Sequence, residues 1–372
     1  MQDLTVGKKE ERKMMQSRCG RVFALLAMVL MVSWGAAGIS GAAGEKIGGQ
    51  LVVDSFGGNY AEAVKTYIAE PFEKEFGVKV LINHFGSNSE QLAKLKAGKT
   101  DMDVSFLGNT YVYMARQDDL LLPLRMENVP NYKDMLPIFH QPVYDPGPQT
   151  YSVSFIWGDQ AIAWNTEKID PPPTSWSVLW DPKYKGRTSI FGSGTSAIPV
   201  TAMFLGQDPN NITDLGAIKA KLMELRPNLL KFWKGGAELT QLLATEEVWA
   251  ADFWRGRVNK LKEEGHPIEY TQPKEGTFVW IDCIVIPKDA KNRQAAEAFV
   301  NYAISAPVLK NFVTKGVNYA PASAAVQLTA QEKIELGATD EIIQRAILLD
   351  PAYIGKMRDT WNELLNEVMA AN

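Results

Sequence analysis

Trp280 and Asp282 stand two residues apart in PKEGTFVWID (273–282), a stretch whose alternation puts both side chains on one face of a strand. Their neighbours Val279, Ile281 and Cys283 are apolar, so the opposite face is expected in the core and Trp280 with Asp282 on the cavity side. Trp254, in DFWRG (252–256), offers a second indole. Aromatic rings with one carboxylate suit an ammonium group: the rings attract the cation, and the acid accepts a charge-assisted hydrogen bond. The competing interpretation is a core tryptophan beside a surface aspartate.

A second constellation is FGSGTSAIP (191–199), where Gly192, Gly194 and Ala197 spell G-x-G-x-x-A. A dinucleotide turn needs a second strand after its helix and an acid about 20 residues on. Here a turn-rich stretch, QDPNNITD (207–214), follows instead, and Asp214 stands in the wrong context. What remains is backbone that glycine lets approach closely and a helix start whose free N–H groups favour polar or anionic partners. Ser193, Thr195 and Ser196 add hydroxyls there, and plain helix capping is the competing account.

Enzyme chemistry is poorly served. The three histidines, His84, His140 and His266, are scattered and none sits in a metal-binding spacing. No C-x-x-C, P-loop or G-x-S-x-G occurs, so neither catalysis, a metal nor a cofactor is expected. An exported hydrolase would need a Ser–His–acid cluster. A ferric-ion receptor would need clustered tyrosines, whereas Tyr319 stands alone in VNYAP. A net charge of −4 argues against nucleic acid as a partner.

The elements that must hold these residues alternate as short strands and helices, the pattern of an α/β fold. Strands are expected at 48–56, 78–85, 102–108, 152–165, 187–191 and 277–287, with helices over 59–77, 89–99, from 110 and from 197. The extended runs 78–85, 152–164 and 278–286 are candidates for lobe cores and crossings. Residues 123–150 read as proline-rich and irregular, and 290–372 as mostly helical.

The N-terminus carries six Lys/Arg, then VFALLAMVLMVSWGAAG (22–38) and small residues, so residues 1–43 read as a signal peptide cleaved near Ala43. Translation is expected to begin at Met14 or Met15. Cleavage removes six basic and three acidic residues, taking the charge from −4 to −7, and leaves Cys283 without a disulfide partner. Cys19 precedes the apolar stretch, so no lipid anchor is expected and the mature chain is expected to be periplasmic.

SWSVLWDPKYKG (175–186), PKEGTFVWIDCIVIPKDAKN (273–292) and VLKNFVTKGVNYAPAS (308–323) resemble the periplasmic spermidine/putrescine-binding proteins, substrate receptors of ABC importers. The likeness extends over roughly residues 48–360. It implies a two-lobed type II periplasmic binding fold with crossing hinge strands and a ligand cleft. Lobe 1 would span 44–155 with about 286–320 returning to it; lobe 2 would span 156–285 with C-terminal helices about 321–372. The resemblance also implies an amine ligand and an inner-membrane ABC permease as partners of a monomeric receptor. It assigns Trp254 to the polyamine methylenes, and Trp280 with Asp282 to an amine. Tyr60, in DSFGGNY, falls near the family's first-loop tyrosine. Gly108 and Thr110, with Tyr111 adjacent, stand where the family has a serine and a tyrosine. The family's two acids after the KG-strand are replaced by GSGTS. Family likeness thus favours putrescine or spermidine, while the residues themselves also suit a shorter or zwitterionic amine, such as a 4-aminobutyrate-like compound, its carboxylate facing 192–196. A sensor that binds the ligand without importing it is the remaining alternative.

Overall fold

Fourteen consecutive residues, Ser152–Asn165, form one strand that is buried along its whole length. A strand paired on both edges and covered on both faces has no side to give to water, so even its polar residues Ser152, Ser154, Asp159, Gln160 and Asn165 are buried. The computed structural model describes residues 46–98 and 101–371, so the expected signal segment and the Met14/Met15 start lie outside the described residues.

Strands β1 (Gln50–Phe56), β2 (Lys79–Phe85), β3 (Val104–Gly108), β4 (Ser152–Asn165), β5 (Thr188–Phe191), β6 (Leu229–Trp233), β7 (Ala250–Trp254), β8 (Ile268–Thr271), β9 (Thr277–Val285), β10 (Ala320–Pro321) and β11 (Ala346–Leu348) build one mixed sheet. Its order is β2-β1-β3-β9-β4-β7-β5-β6, with β8 and β10 on β4 and β11 on β9. The expected run at 78–85 is an edge strand paired with β1 alone. The strands that cross the middle are β4 and β9, antiparallel to each other.

The helices are α1 (Asn59–Val64), α2 (Glu70–Phe76), α3 (Asn88–Ala97), α4 (Asn109–Gln117), α5 (Gly194–Phe204), α6 (Leu215–Leu225), α7 (Gly236–Ala244), α8 (Arg255–Glu263), α9 (Arg293–Ala303), α10 (Ala306–Asn311), α11 (Ala330–Leu336), α12 (Asp340–Arg345) and α13 (Pro351–Ala370). A π-helical turn, Lys65–Ala69, joins α1 to α2, and the run ends at Gly77 in a left-handed conformation. Ser87 caps α3 by accepting the Glu90 N–H at 3.2 Å.

Two large cores lie on this frame. One gathers Leu51, Phe72, Phe106, Phe155, Phe299 and Phe312; the other gathers Ile162, Trp176, Ile190, Ile198, Leu222 and Trp361. A smaller cluster holds Trp233, Leu239, Phe253 and Val258. β4 enters the first core through Val153–Trp157 and the second through Ile162 and Trp164. The C-terminal segment contributes to both cores. Ala322, Val326 and Leu336 join the first core, because β10 pairs with β4 at Ile156 and Trp157, and Ile354, Trp361 and Leu365 join the second.

Candidate functional site

The register of the central strands decides which side chains meet. Gly158 of β4 faces Trp280 of β9, Ile156 faces Asp282, and Gln160 faces Trp254 of β7. Paired residues of antiparallel strands share a face, and so do residues two apart, so Trp254, Trp280 and Asp282 project from the same side. Ile281 and Cys283 are buried on the other side.

Gly158 is the residue that lets Trp280 lie down. A Cβ there would stand 2.6 Å from Trp280 Cζ2, closer than any side chain tolerates. Tyr319 meets the same indole edge to face, with centroids 4.6 Å apart and planes at 88°. The Trp280 Nε1–H is buried without a hydrogen-bond partner.

Asp282 sits beside this pair, and burial raises its pKa to about 7. The Tyr60 hydroxyl tempers the rise, and no basic group contributes. Tyr60 itself is fixed by edge-to-face contacts with Phe56, Phe106 and Phe312, and its hydroxyl makes no well-formed hydrogen bond. The Tyr319 hydroxyl is pushed up by burial; the Arg257 charge opposes this and the Asp282 charge adds to it. Both charges therefore act on the tyrosine that covers Trp280.

Gly108 pairs with Asp282 across β3 and β9 and donates its N–H to Asn88 Oδ1 at 2.8 Å. The next residue, Asn109, accepts the Ile281 N–H at 3.4 Å. Thr110 is half-buried, and the Tyr111 hydroxyl lies 2.8 Å from Ser89 Oγ. Tyr111 and Ser89 face a cavity of about 390 Å³ whose other wall includes Ser193, Thr195, Arg358 and Asn362.

The 191–199 turn is shaped by α13. The Gly194 N–H donates to Asn362 Oδ1 at 3.2 Å, and a Cβ on Gly194 would stand 2.7 Å from the Trp361 carbonyl carbon. The cap of α5 thus comes from a distant helix and not from Ser193, whose hydroxyl lies 3.0 Å from that of Thr195. Ser196 lies further in, beside Gln160. Its buried hydroxyl accepts from Gln160 Nε2 at 2.8 Å, and Gln160 also donates to Asp252. Asp252 in turn accepts from Trp233 Nε1 and the Phe191 N–H, both at 2.8 Å, while burial lifts its pKa to about 7.

Trp254 remains half-buried, packed edge to face on Trp233 and Phe191 at 5.2 and 5.9 Å. Of the sequence-chosen residues, Tyr60, Gly108, Trp280 and Asp282 stand together, Tyr111, Ser193 and Thr195 share the cavity, and Ser196 is buried against Gln160. Sequence reasoning missed Tyr319, Gly158 and Asn362. Tyr319 lay within the quoted VNYAP stretch. Gly158 and Asn362 carry no local signal, because their partners lie over 100 residues away. Among the described residues no group of three or more His, Cys, Asp or Glu is placed to hold a metal ion, and no helix is long and apolar enough to cross a membrane.

Residues 67–338 match a family described as bacterial extracellular solute-binding protein. The spermidine/putrescine-binding periplasmic protein of Escherichia coli (strain K12) is 30% identical over 280 residues, covering 74% of this chain and 79% of that protein. The putrescine-binding periplasmic protein PotF of the same organism is 27% identical over 297 residues, covering 74% and 79%. Among solved structures, a putative spermidine/putrescine ABC transporter from Listeria monocytogenes is similar with a TM-score of 0.75 and 26% identity, covering 86% of this chain and 99% of that one.

Proposed function

The chain belongs to the bacterial extracellular solute-binding family, and from that premise we propose that it is the substrate-binding component of an ABC importer for polyamine-class amines, putrescine- or spermidine-like molecules. The family consists of binding components, so the site is a receptor and not an active site. Its fold is the two-lobed type II fold of these receptors. The names of the relatives favour polyamines over the shorter, amino-acid-like alternative.

The observation that carries this reading is Asp282, a half-buried carboxylate beside Trp280 and Tyr319 that forms no ion pair among the described residues. An ammonium ion supplies the missing counter-charge, and the indole faces of Trp280 and Trp254 suit its methylenes and its positive end. Tyr60 and Gly108 frame Asp282; Thr110, Tyr111, Ser193 and Thr195 are assigned to the outer part of the cleft. The two cores act as lobes that close on the ligand about β4 and β9, and the closed form docks on the permease. Residues 1–43 direct export and are removed near Ala43, leaving a monomeric, unanchored periplasmic receptor.

Isothermal titration with putrescine and spermidine tests this. Binding to the wild type that weakens on the order of 100-fold in Asp282→Asn is the expected result, since a charge-assisted contact in a closed site is lost. Unchanged affinity in that variant removes Asp282 from the site.

A further inference from the structure

A polyamine carries more than one ammonium group, and Asp282 neutralises only the end that it meets. The turn at 191–196, which supplies one wall of the outer cavity, contains no acid. Asp252 stands behind that turn but is out of a ligand's reach. It is fully buried, and its oxygens already accept from Trp233 Nε1, the Phe191 N–H and Gln160. Among the described residues that line the cavity of about 390 Å³, Asp359 of α13 alone carries a carboxylate.

Helix α4 connects this cavity to Asp282. Gly108 pairs with Asp282 across β3 and β9 and immediately precedes α4. Tyr111, on the cavity wall, follows three residues later, about 4.5 Å along the axis at 1.5 Å per residue. On the other side, Gly355, Arg358, Asp359 and Asn362 stand three and four residues apart, on one face of α13. That face meets α4: Arg358 Nη1 lies 3.4 Å from Met114 Sδ, and a Cβ on Gly355 would stand 3.8 Å from Met114 Cε. Since α4 packs in the first core and α13 in the second, the cavity lies between elements of the two.

Asp359 is placed to accept a new partner. Its side chain is 88% exposed, and its ion pair is with the preceding residue, Arg358 Nε at 3.1 Å. Successive residues do not face each other on a helix, and an exposed pair of this kind contributes little. An ammonium entering the cavity therefore displaces a weak contact. It also finds the hydroxyl oxygens of Ser89, Tyr111, Ser193 and Thr195 as acceptors. The charge of Arg358 opposes it and keeps the gain modest. We infer that Asp359 receives the far ammonium of the polyamine, and so sets a preference for amines with two or more charges over monoamines of the same length. This rests on the assignment of an ammonium to Asp282 given above and adds the second end of the site.

Butylamine has the carbon chain of putrescine without the far charge, so the two ends can be read separately. Butylamine, putrescine and spermidine are titrated calorimetrically, directly or in competition, into wild type, Asp359→Asn, Arg358→Gln and Asp282→Asn. Asp359→Asn should weaken putrescine, spermidine or both on the order of threefold to tenfold at low salt, as expected for an exposed charge pair, and leave butylamine unchanged. Arg358→Gln, which removes the opposing charge, should tighten the same ligands and not butylamine. Asp359 is exposed, so its replacement should leave the fold intact, which circular dichroism melting verifies. Unchanged polyamine affinities in Asp359→Asn, or an equal loss for butylamine, overturn the inference. The polyamine reading survives either result if Asp282→Asn still weakens all three amines. If no amine binds wild type, both are overturned.

Discussion

Burial without a counter-ion makes Asp282 a carboxylate that titrates near pH 7, and Asp252 behaves likewise within its ring of hydrogen bonds. Between about pH 4 and 7 the folded chain keeps protons that the unfolded chain has already released. Stability in the absence of ligand therefore falls as pH rises through that window. Capture of an ammonium runs the other way, because it needs Asp282 ionised. Amine affinity should strengthen from about pH 5.5 to 8, approaching tenfold per pH unit below the pKa, and the profile should be flat in Asp282→Asn. Calorimetry across pH checks this; a flat wild-type profile would show that the ligand does not meet the ionised acid. Gly158→Ala tests the indole's seat. The added methyl cannot coexist with Trp280 Cζ2 at 2.6 Å, so the ring must lift. A loss of about 1–3 kcal/mol in urea unfolding and weaker amine binding are expected together; retained affinity would mean that the ring position is immaterial.

Among elements, the contact of α13 with the start of α5 has a sharp requirement. Gly194 admits the Trp361–Asn362 backbone within contact distance, and Asn362 caps the helix that Ser193 leaves uncapped. Gly194→Val should cost about 2–3 kcal/mol in chemical denaturation by forcing α13 away. Wild-type stability would show that α13 yields freely. Glu297 of α9 makes a second tie, accepting from Arg125, Asn128 and Arg293, and these hydrogen bonds hold its pKa down to about 2 against the opposing effect of burial. A depressed acid stabilises above its unfolded pKa and loses that contribution as pH falls. Glu297→Ala should therefore destabilise by about 2 kcal/mol at pH 7, discounted for the exposure of Arg125, and by much less near pH 2.5. Equal losses at both values would assign the effect to packing. Most helices and strands were legible in the periods of 3.6 and 2. The π-helical turn at Lys65–Ala69 was not, since it leaves the apolar spacing intact. The purpose of the glycines in GSGTS was hidden because the helix they admit is 168 residues away.

At the scale of the whole molecule, β4 belongs to both large cores, so neither can melt without unpairing a strand that the other needs. Differential scanning calorimetry should show one transition, displaced upward by ligand; two resolved transitions would mean that the cores unfold separately. The α/β class was readable from alternation, and the Trp280–Asp282 face from a two-residue period. Tyr319 was not, because its meaning arises only when the chain after α10 converges on β9. That convergence is extreme in sequence terms. β3 pairs with β9 from Ser105 to Val285, and Asp103 accepts the N–H groups of Lys291 and Asn292 at 2.8 and 2.9 Å. Such contacts reward the chain only after long loops have closed, which slows folding. The same register that builds the pocket thus prolongs the time spent as an open thread, and an open thread is the form in which a polypeptide can pass through a translocation pore.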